Sequence, residues 1–379
     1  MEKYSEIGCS IYHLFIDFKQ AFDLIWREGL WHILLHFRIP SNLISLIKDM
    51  YKKFSSRVMT GEGLTESFKT STGVLQGCLI SPGLFNLFLT AALSLTDNPP
   101  GALVGGVVIE KLAYADDIDL IAESLQDLQS QANSVHSSTN LFGMAINTSK
   151  TKAMRCSRKF DSQVNLSLQL GEDTIEWVEG FTYLGSLLTY DNNQLKDIKR
   201  RLTLANSSFK ALMPIWRNKN LTTTLKTRLF YSLIIPIAIY ACESWTLKTD
   251  DQRRLAAFET KSLRRIAGIT FHDRISNSKL LHNLKVKFTI LDKIKLQQLK
   301  WLGHTQRMAS TRLPKIAFDG RVHGSRPRGR PPKRWKENFS PYNLPQLCRL
   351  ADNRSTYRRH INELVKEEAP IRPSRTDGT

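Results

Sequence analysis

Tyr114, Ala115, Asp116 and Asp117 set two adjacent carboxylates behind an aromatic and a small residue, between apolar runs at 107–109 and 120–122. The pattern predicts a strand, a tight turn holding two acids, and a second strand. Anionic charge beside buried apolar strands is costly unless a cation or hydrogen bonds compensate it. A divalent metal is one such compensation, and Mg²⁺ takes carboxylate oxygens while keeping waters and substrate phosphates in its shell. A third acid, Asp17, ends a short apolar run that begins at Ile11. If the two segments are sheet neighbours, the acids converge. Two ions held there would do phosphoryl-transfer chemistry, one activating a hydroxyl and one holding a triphosphate. Plainer roles stay open. Paired Asp suits any hairpin turn, and Asp17 would also serve as an N-cap ahead of Lys19.

The elements that must position these acids are mixed. Helices are expected over 19–37 and 41–53, with Pro40 and Ser41 as boundary and N-cap. A hairpin is expected across 58–72, a helix over 81–95 with Pro82 in its first turn, and a loop at 98–101. A polar helix over 125–142 follows, then strands at 145–156, 164–170 and 174–177. Adjacent hairpins among helices predict an α+β sheet layered with helices. After Gly185 the period becomes helical: Leu195, Ile198, Leu202, Ala205, Phe209 and Leu212 repeat at three and four. Further helices are expected over 221–240, kinked at Pro236, and over 250–267, with Leu255, Phe258, Leu263 and Ile266 inward and Gly268 as C-cap. Thr289 to Asp292 reads as a capping-box start. The stretch 308–343 is rich in Arg, Pro and Gly and is expected to be poorly ordered.

The 379 residues suggest two or three domains, and a hydrophobic content of 41% supplies their cores. Net charge is +19, divided unevenly. Residues 1–191 hold 15 Lys and Arg against 21 Asp and Glu, whereas residues 192–379 hold 39 against 14. Blocks of positive charge on helices are the footprint of a polyanion such as nucleic acid, with an anionic membrane surface as the rival. No stretch reads as a signal peptide, and the apolar run 229–245 is broken by Pro236 and Glu243 before it reaches membrane-spanning length. The five cysteines are scattered and support neither a disulfide framework nor a zinc site, which fits a reducing compartment. The nine histidines show no metal-ligand spacing.

Five strings occur in a meaningful order: LFIDFKQAFD from Leu14 to Asp23, GVLQGCLISP from Gly73 to Pro82, YADD, NTSKTK from Asn147 to Lys152, and YLG from Tyr183 to Gly185. On these the chain resembles the reverse transcriptase of non-LTR (LINE-type) retrotransposons. The resemblance implies an RNA-directed DNA polymerase, a nucleotidyltransferase adding dNTPs to a primer 3′ end with two Mg²⁺ (or Mn²⁺) ions. Its partners would be an RNA template and a DNA primer or target, with no membrane; its place would be intracellular, in the nucleus. Its fold would be a right-hand palm, an antiparallel sheet with helices, over 1–191. A helical thumb and connection over 192–275 and a basic, helical or disordered C-terminal region over 276–379 would follow. Asp17, Asp116 and Asp117 would hold the metals. Lys150 would stand near the triphosphate, with Lys152 as competitor and a solvated lysine as the plain alternative. Phe22 would be the gate against a ribose 2′-hydroxyl, or a core Phe, or both. Asp23 reads as a surface or capping acid. Gln76 and Gly77 would support the incoming nucleotide, unless Gly77 merely serves a turn. Tyr183, Leu184 and Gly185 would form the primer grip, although Tyr183 is equally suited to a core. Arg200 and Arg201, towards the sides of their helix and solvent, and Arg253, Arg254, Arg264 and Arg265, on an outer face, would contact nucleic acid. Arg328 and Arg330 resemble an AT-hook for the minor groove, with a basic linker touching phosphates as the alternative.

The sequence departs from the family's pattern at Gln20, where the family usually has a different residue before Ala21, Phe22 and Asp23, and in what flanks the matched strings. Sixteen residues stand before Asp17, too few for the family's fingers, and neither an apurinic-type endonuclease before it nor a Cys/His knuckle after it is present. The expectation is therefore a palm and thumb without fingers. Two other readings accompany the polymerase: a truncated, catalytically inactive nucleic-acid-binding remnant, and a domesticated reverse-transcriptase-like protein.

Overall fold

The computed structural model describes residues 1–96, 100–157, 166–326, 328–329 and 333–368. Its central sheet has five strands in the order Glu176–Trp177, Lys152–Cys156, Ile11–Ile16, Asp117–Ala122, Lys111–Tyr114. Neighbours are antiparallel except the short Glu176–Trp177 edge, which is parallel to its neighbour. Side chains alternate between the two faces. Leu14, Ile16, Ile118, Leu120 and Ala153 pack on the helices Ser81–Ser94 and Leu125–Leu141, which present Phe85, Phe88, Leu89, Leu128 and Val135 at helical spacing. Ile11, Phe15, Ile121, Met154 and Cys156 face the other way. They are covered by Tyr4, Ile316 and the hairpin residues Phe181, Tyr183 and Leu188. The expected α+β class is what the chain adopts.

Several expected boundaries move. The helix foreseen from 19 begins only at Arg27, because residues 18–24 are laid down as a bridge and turns with Gln20 at φ 45°. Ser41 is no N-cap: Pro40 takes that place, and the Ser41–Lys53 helix has no capping side chain. The run at 107–109 pairs with Ala102–Val104 rather than leading into the acid turn. Residues 147–151 are a turn, not a strand, and only Lys152–Cys156 joins the sheet. The 58–72 hairpin shrinks to Met59–Thr60 paired with Gly63–Leu64, plus a Ser56–Phe68 bridge. Of the strand expected at 164–170, Gln169–Leu170 is seen; residues 158–165 and part of the 98–101 loop lie outside the described residues.

The second half is helical. Gln194–Ala211 and Thr249–Ala267 bury Ile198, Ala205, Phe209, Leu255, Phe258, Leu263 and Ile266 in one core, and Gly268 closes the second helix at φ 68°. That core runs on through Leu280, Val286, Ile290 and Ile294, past the boundary expected at 275. The kink expected at Pro236 takes a specific form: Phe230–Ile234 is a π-helical turn between Thr223–Leu229 and Ile235–Ala238. Proline has no N–H to give to the preceding turn and its ring crowds that carbonyl, so the helix widens ahead of it. The 308–343 stretch is more ordered than expected where it is described. Leu313–Asp319 is helical, and Trp335 and Phe339 anchor the segment against the last core. Trp335 accepts no freedom at its ends: its backbone N–H donates to Glu2 and its indole to the Glu243 carbonyl at 2.6 Å. Gly303 lets the Tyr357 ring lie against its helix, where a Cβ would meet ring carbon at 2.3 Å.

Two buried ionisable groups give the fold a pH dependence. Glu259, 2% exposed, accepts from the Tyr231 hydroxyl at 2.6 Å and the Ile290 amide at 2.7 Å. Burial pushes its carboxyl up to about 7, the two hydrogen bonds opposing this only in part. A folded pKa raised from 4.5 gives a contribution fully present below pH 4.5 and lost as pH rises through about 7. Glu259→Gln keeps both contacts and cannot ionise. It is predicted to be more stable than the parent by about 2 kcal/mol at pH 8, the gap closing below about pH 5, as read by urea unfolding. His13 lies buried on the sheet with Nδ1 at 3.0 and 3.1 Å from the Asp119 carboxylate. Burial alone would lower His13, but the Asp119 charge and hydrogen bond outweigh it and hold it raised to about 9. The pair's contribution is thus whole below pH 6.5 and fades as pH rises through about 9. Asp119→Asn is predicted to cost about 3 kcal/mol at pH 6 and to flatten that slope in the same unfolding titration.

Candidate active site

The register of the two central strands builds the site. Ile11–Ile16 and Asp117–Ala122 pair from Tyr12 opposite Ala122 to Ile16 opposite Ile118. Asp17 follows directly after the last pair and so comes beside Asp117, the first residue of its strand. Tyr114 pairs with Asp117, leaving Ala115 and Asp116 as a two-residue turn. Ala115 sits there at φ 51°, a conformation that such turns need and that an alanine takes at some cost. The acid pair is therefore split: Asp116 is in the turn, and Asp117 is in the sheet.

The 145–151 segment runs alongside Asp17 and fixes what faces it. Lys19 N–H donates to Ala145 O at 2.8 Å, Asn147 N–H to Asp17 O at 2.7 Å, and Asp17 N–H to Thr151 Oγ1 at 3.3 Å. This clamp brings Lys150 Nζ to 3.8 Å from Asp17 Oδ2, with the lysine side chain 70% exposed. Its competitor is engaged elsewhere: Lys152 donates to Ser149 O at 2.6 Å and Glu176 at 2.8 Å. A cleft of about 400 Å³ is lined by Asp17, Asp117, Lys150, Lys152, Phe181 and Tyr183, among others.

Asp17 Oδ2 is buried and accepts no hydrogen bond. Burial, and then the charges of Asp116 and Asp17, raise the Asp117 carboxyl above its ordinary range. Oxygen-only donors, a buried carboxylate oxygen whose cation Lys150 stands 3.8 Å off, and neighbouring acids that raise Asp117 fit a hard divalent cation such as Mg²⁺. Among the described residues, however, no three His, Cys, Asp or Glu side chains are drawn together into a ligand set.

Phe22 is half-buried and stacks on Phe85 with centroids 4.5 Å apart, so it is a core residue with an exposed edge. Gln76 is exposed, and its amide donates to Asp23 at 3.1 Å. Asp23 thus has a partner that the sequence did not suggest. Gly77 takes φ 84°, and a Cβ there would meet nothing within 4 Å; the glycine serves the turn's conformation. Arg27 holds the same loop, donating to Gly73 O at 2.8 Å and Thr70 Oγ1 at 2.9 Å. Tyr183, Leu184 and Gly185 lie at the tip of the Gly180–Tyr183 and Ser186–Thr189 hairpin. Phe181 stacks on Phe15 at 4.4 Å, and the Tyr183 hydroxyl stands 3.5 Å from the carbonyls of Leu112 and Asp117. Tyr183 is at once packed and at the cleft.

The arginines divide. Arg253, Arg254 and Arg265 are exposed, Arg253 pairing with Asp250 at 3.3 Å. Arg264 is not on the free face expected for it. It donates to Ile275 O at 2.7 Å and Asn277 Oδ1 at 2.9 Å, closing a turn of its own chain. Arg200 and Arg201 likewise turn back onto their own chain, both donating to Gly185 O; Arg200 stays partly exposed, while Arg201 is only 8% exposed. Helical spacing put them at the side of the helix; the hairpin that covers that side is a tertiary contact. Arg328 is exposed, and Arg330 lies outside the described residues. Missed altogether were the His13–Asp119 pair and Asp197. An acid inside the apolar run Ile118 to Ala122 was the available signal for the first. Among the described residues no helix is long and apolar enough to cross a membrane.

Residues 2–188 match the family described as reverse transcriptase (RNA-dependent DNA polymerase). The chain is 26% identical over 245 residues to a putative uncharacterized transposon-derived protein of Caenorhabditis elegans, covering 62% of this chain and 86% of that protein. It is 24% identical to the RNA-directed DNA polymerase from mobile element jockey of Drosophila melanogaster, covering 88% of this chain. To the jockey polymerase of Drosophila funebris it is 26% identical over 69% of its length. The chain spans 36% and 29% of those two polymerases' own lengths. A solved telomerase from Candida tropicalis, in complex with a fragment of telomeric RNA, aligns with 76% of this chain and 47% of its own at 14% identity and a TM-score of 0.38. Over residues 2–188 the chain is a reverse transcriptase domain of the kind carried by non-LTR retrotransposons.

Proposed function

We propose that this chain adds deoxynucleotides to a primer 3′ end on an RNA template by two-metal catalysis. The observation that supports the reading is the register that sets Asp17 beside Asp117, with Asp116 in the adjoining turn and Lys150 at 3.8 Å from Asp17. In this reading Asp17 and Asp117, with Asp116 from the turn, hold Mg²⁺ or Mn²⁺. Bound there, the ions would lower the pKa of the primer hydroxyl and offset charge on the triphosphate. Lys150 neutralises the same charge and gives a proton to the leaving pyrophosphate. Phe22 closes the floor against a ribose 2′-hydroxyl, and Gln76, steadied by Asp23, contacts the incoming nucleotide beside Gly77. Residues 1–191 serve as palm, and the helical core that starts after 192 and runs on to Ile294 as thumb. The exposed Arg253, Arg254 and Arg265 supply phosphate contacts, as Arg328 and Arg330 would from the basic segment. Copying at a chromosomal target would put the protein in the nucleus.

A second reading, nucleic-acid binding without catalysis, is favoured by the missing ligand set among the described residues. Primer extension separates the two. With poly(rA)/oligo(dT), Mg²⁺ and dTTP the chain is expected to extend the primer, and Asp116→Asn with Asp117→Asn to abolish extension while leaving RNA binding. Salt-sensitive binding with no extension by the unaltered chain would sink the catalytic reading. Phe22→Val is expected to admit ribonucleotides, raising rUTP incorporation on poly(rA) relative to dTTP by about tenfold or more. An unchanged ratio would return Phe22 to a purely structural role.

A further inference from the structure

The tip of the 180–189 hairpin is conformationally expensive and externally held. Tyr183 pairs with Ser186, so Leu184 and Gly185 are the two turn residues, at φ 46° and 81°. Both must be left-handed in such a turn, which glycine tolerates and leucine disfavours. Leu184 is itself 41% exposed. The compensation comes from the helical half. The Tyr240 hydroxyl donates to Leu184 O at 3.0 Å, and Arg200 and Arg201 donate to Gly185 O. Arg201 also lies over the Tyr240 ring, its guanidinium carbon 4.2 Å from the centroid. Asp197, 1% exposed, accepts from the Leu187 amide at 3.0 Å and balances both arginines, at 3.6 and 3.9 Å. A Cβ on Gly185 would come within 3.3 Å of the Tyr240 ring. Both turn carbonyls and the Leu187 amide are thus gripped by four side chains, Asp197, Arg200 and Arg201 from the Gln194–Ala211 helix and Tyr240 from the turn after Ile235–Ala238.

The same hairpin reaches the cleft. Phe181 stacks on Phe15, two residues before Asp17, and Tyr183 stands at the Asp117 carbonyl. We infer that Asp197, Arg201 and Tyr240 form a clasp through which the helical half sets the position of the 183–185 turn. Arg201 and Tyr240 are therefore positioning residues for the primer end of an RNA–DNA hybrid rather than nucleic-acid contacts. The primer assignment rests on the function proposed above; the clasp rests on geometry alone.

Tyr240→Phe removes one hydrogen bond and keeps the ring under Arg201, and Arg201→Lys keeps the charge but not the planar fork. The full chain is titrated by fluorescence anisotropy against labelled oligo(dT)/poly(rA) hybrid and, separately, against labelled single-stranded poly(rA). Amide exchange across 184–188 is followed in parallel. The expected result is a five- to twentyfold loss of hybrid affinity in either variant, poly(rA) affinity within twofold of the parent, and exchange at Leu187 about tenfold faster. Equal losses on both probes, or faster exchange with unchanged hybrid affinity, would overturn the positioning role. Unchanged exchange would overturn the clasp itself. If the parent chain binds hybrid no better than poly(rA), the functional reading fails, and the exchange rates alone then decide whether the clasp exists.

Discussion

The antiparallel register between Ile11–Ile16 and Asp117–Ala122 is the constraint on which the rest of the molecule depends. Side chains in a strand alternate faces, so a slip of one residue would carry Asp17 or Asp117 to the opposite face of the sheet. The register is fixed from both sides. Leu14, Ile16, Ile118 and Leu120 must enter the helix-covered core, while Phe15 must meet Phe181 on the other face. Hydrophobic burial of these residues, each worth roughly 2 kcal/mol or more, thereby places acids that contribute nothing favourable of their own. The clamp of residues 145–151 along Asp17 then sets Lys150 in place.

Charge on that face is managed in layers. His13 neutralises Asp119 within the packed part of the sheet, where water cannot. Towards the rim, Asp117 and Asp116 have no such partner among the described residues, and Lys150 approaches Asp17 only to 3.8 Å. A buried pair and an open acid cluster two residues apart on the same strand do different work. The first closes the fold. The second leaves a demand for positive charge that a cation or a substrate complex can meet. The basic half of the chain is similarly divided. Arg200, Arg201 and Arg264 are spent on backbone carbonyls, so the polyanion-facing charge is smaller than the composition suggests.

Much of the architecture was legible because it rests on local signals. Heptad-like repeats from Leu195, the Gly268 C-cap, the Thr289 capping box and the acid hairpin each depend on residues close in sequence. The misjudged boundaries have a common cause. Residues 19–26 and 147–151 have the composition of a helix and a strand, yet each is shaped by the other across the Phe18–Ile146 bridge. The order found in 313–339 was hidden for the same reason. Its Arg and Pro content argues for a loose chain, while Trp335 and Phe339 find partners distant in sequence.

The sequence by itself determined which chemistry was available: three aspartates at the ends of apolar strands, a nearby lysine, and an acidic first half joined to a basic second. Those follow from residue type and short spacing, which folding does not alter. Only the tertiary structure decided that Lys150 rather than Lys152 faces Asp17, that Asp119 has a counter-ion in His13, and that Arg201 supports a turn instead of meeting solvent. Each of these is a choice among equally plausible partners. It is made by packing between segments from 16 to more than a hundred residues apart, and periodicity along one element carries no information about what will cover it.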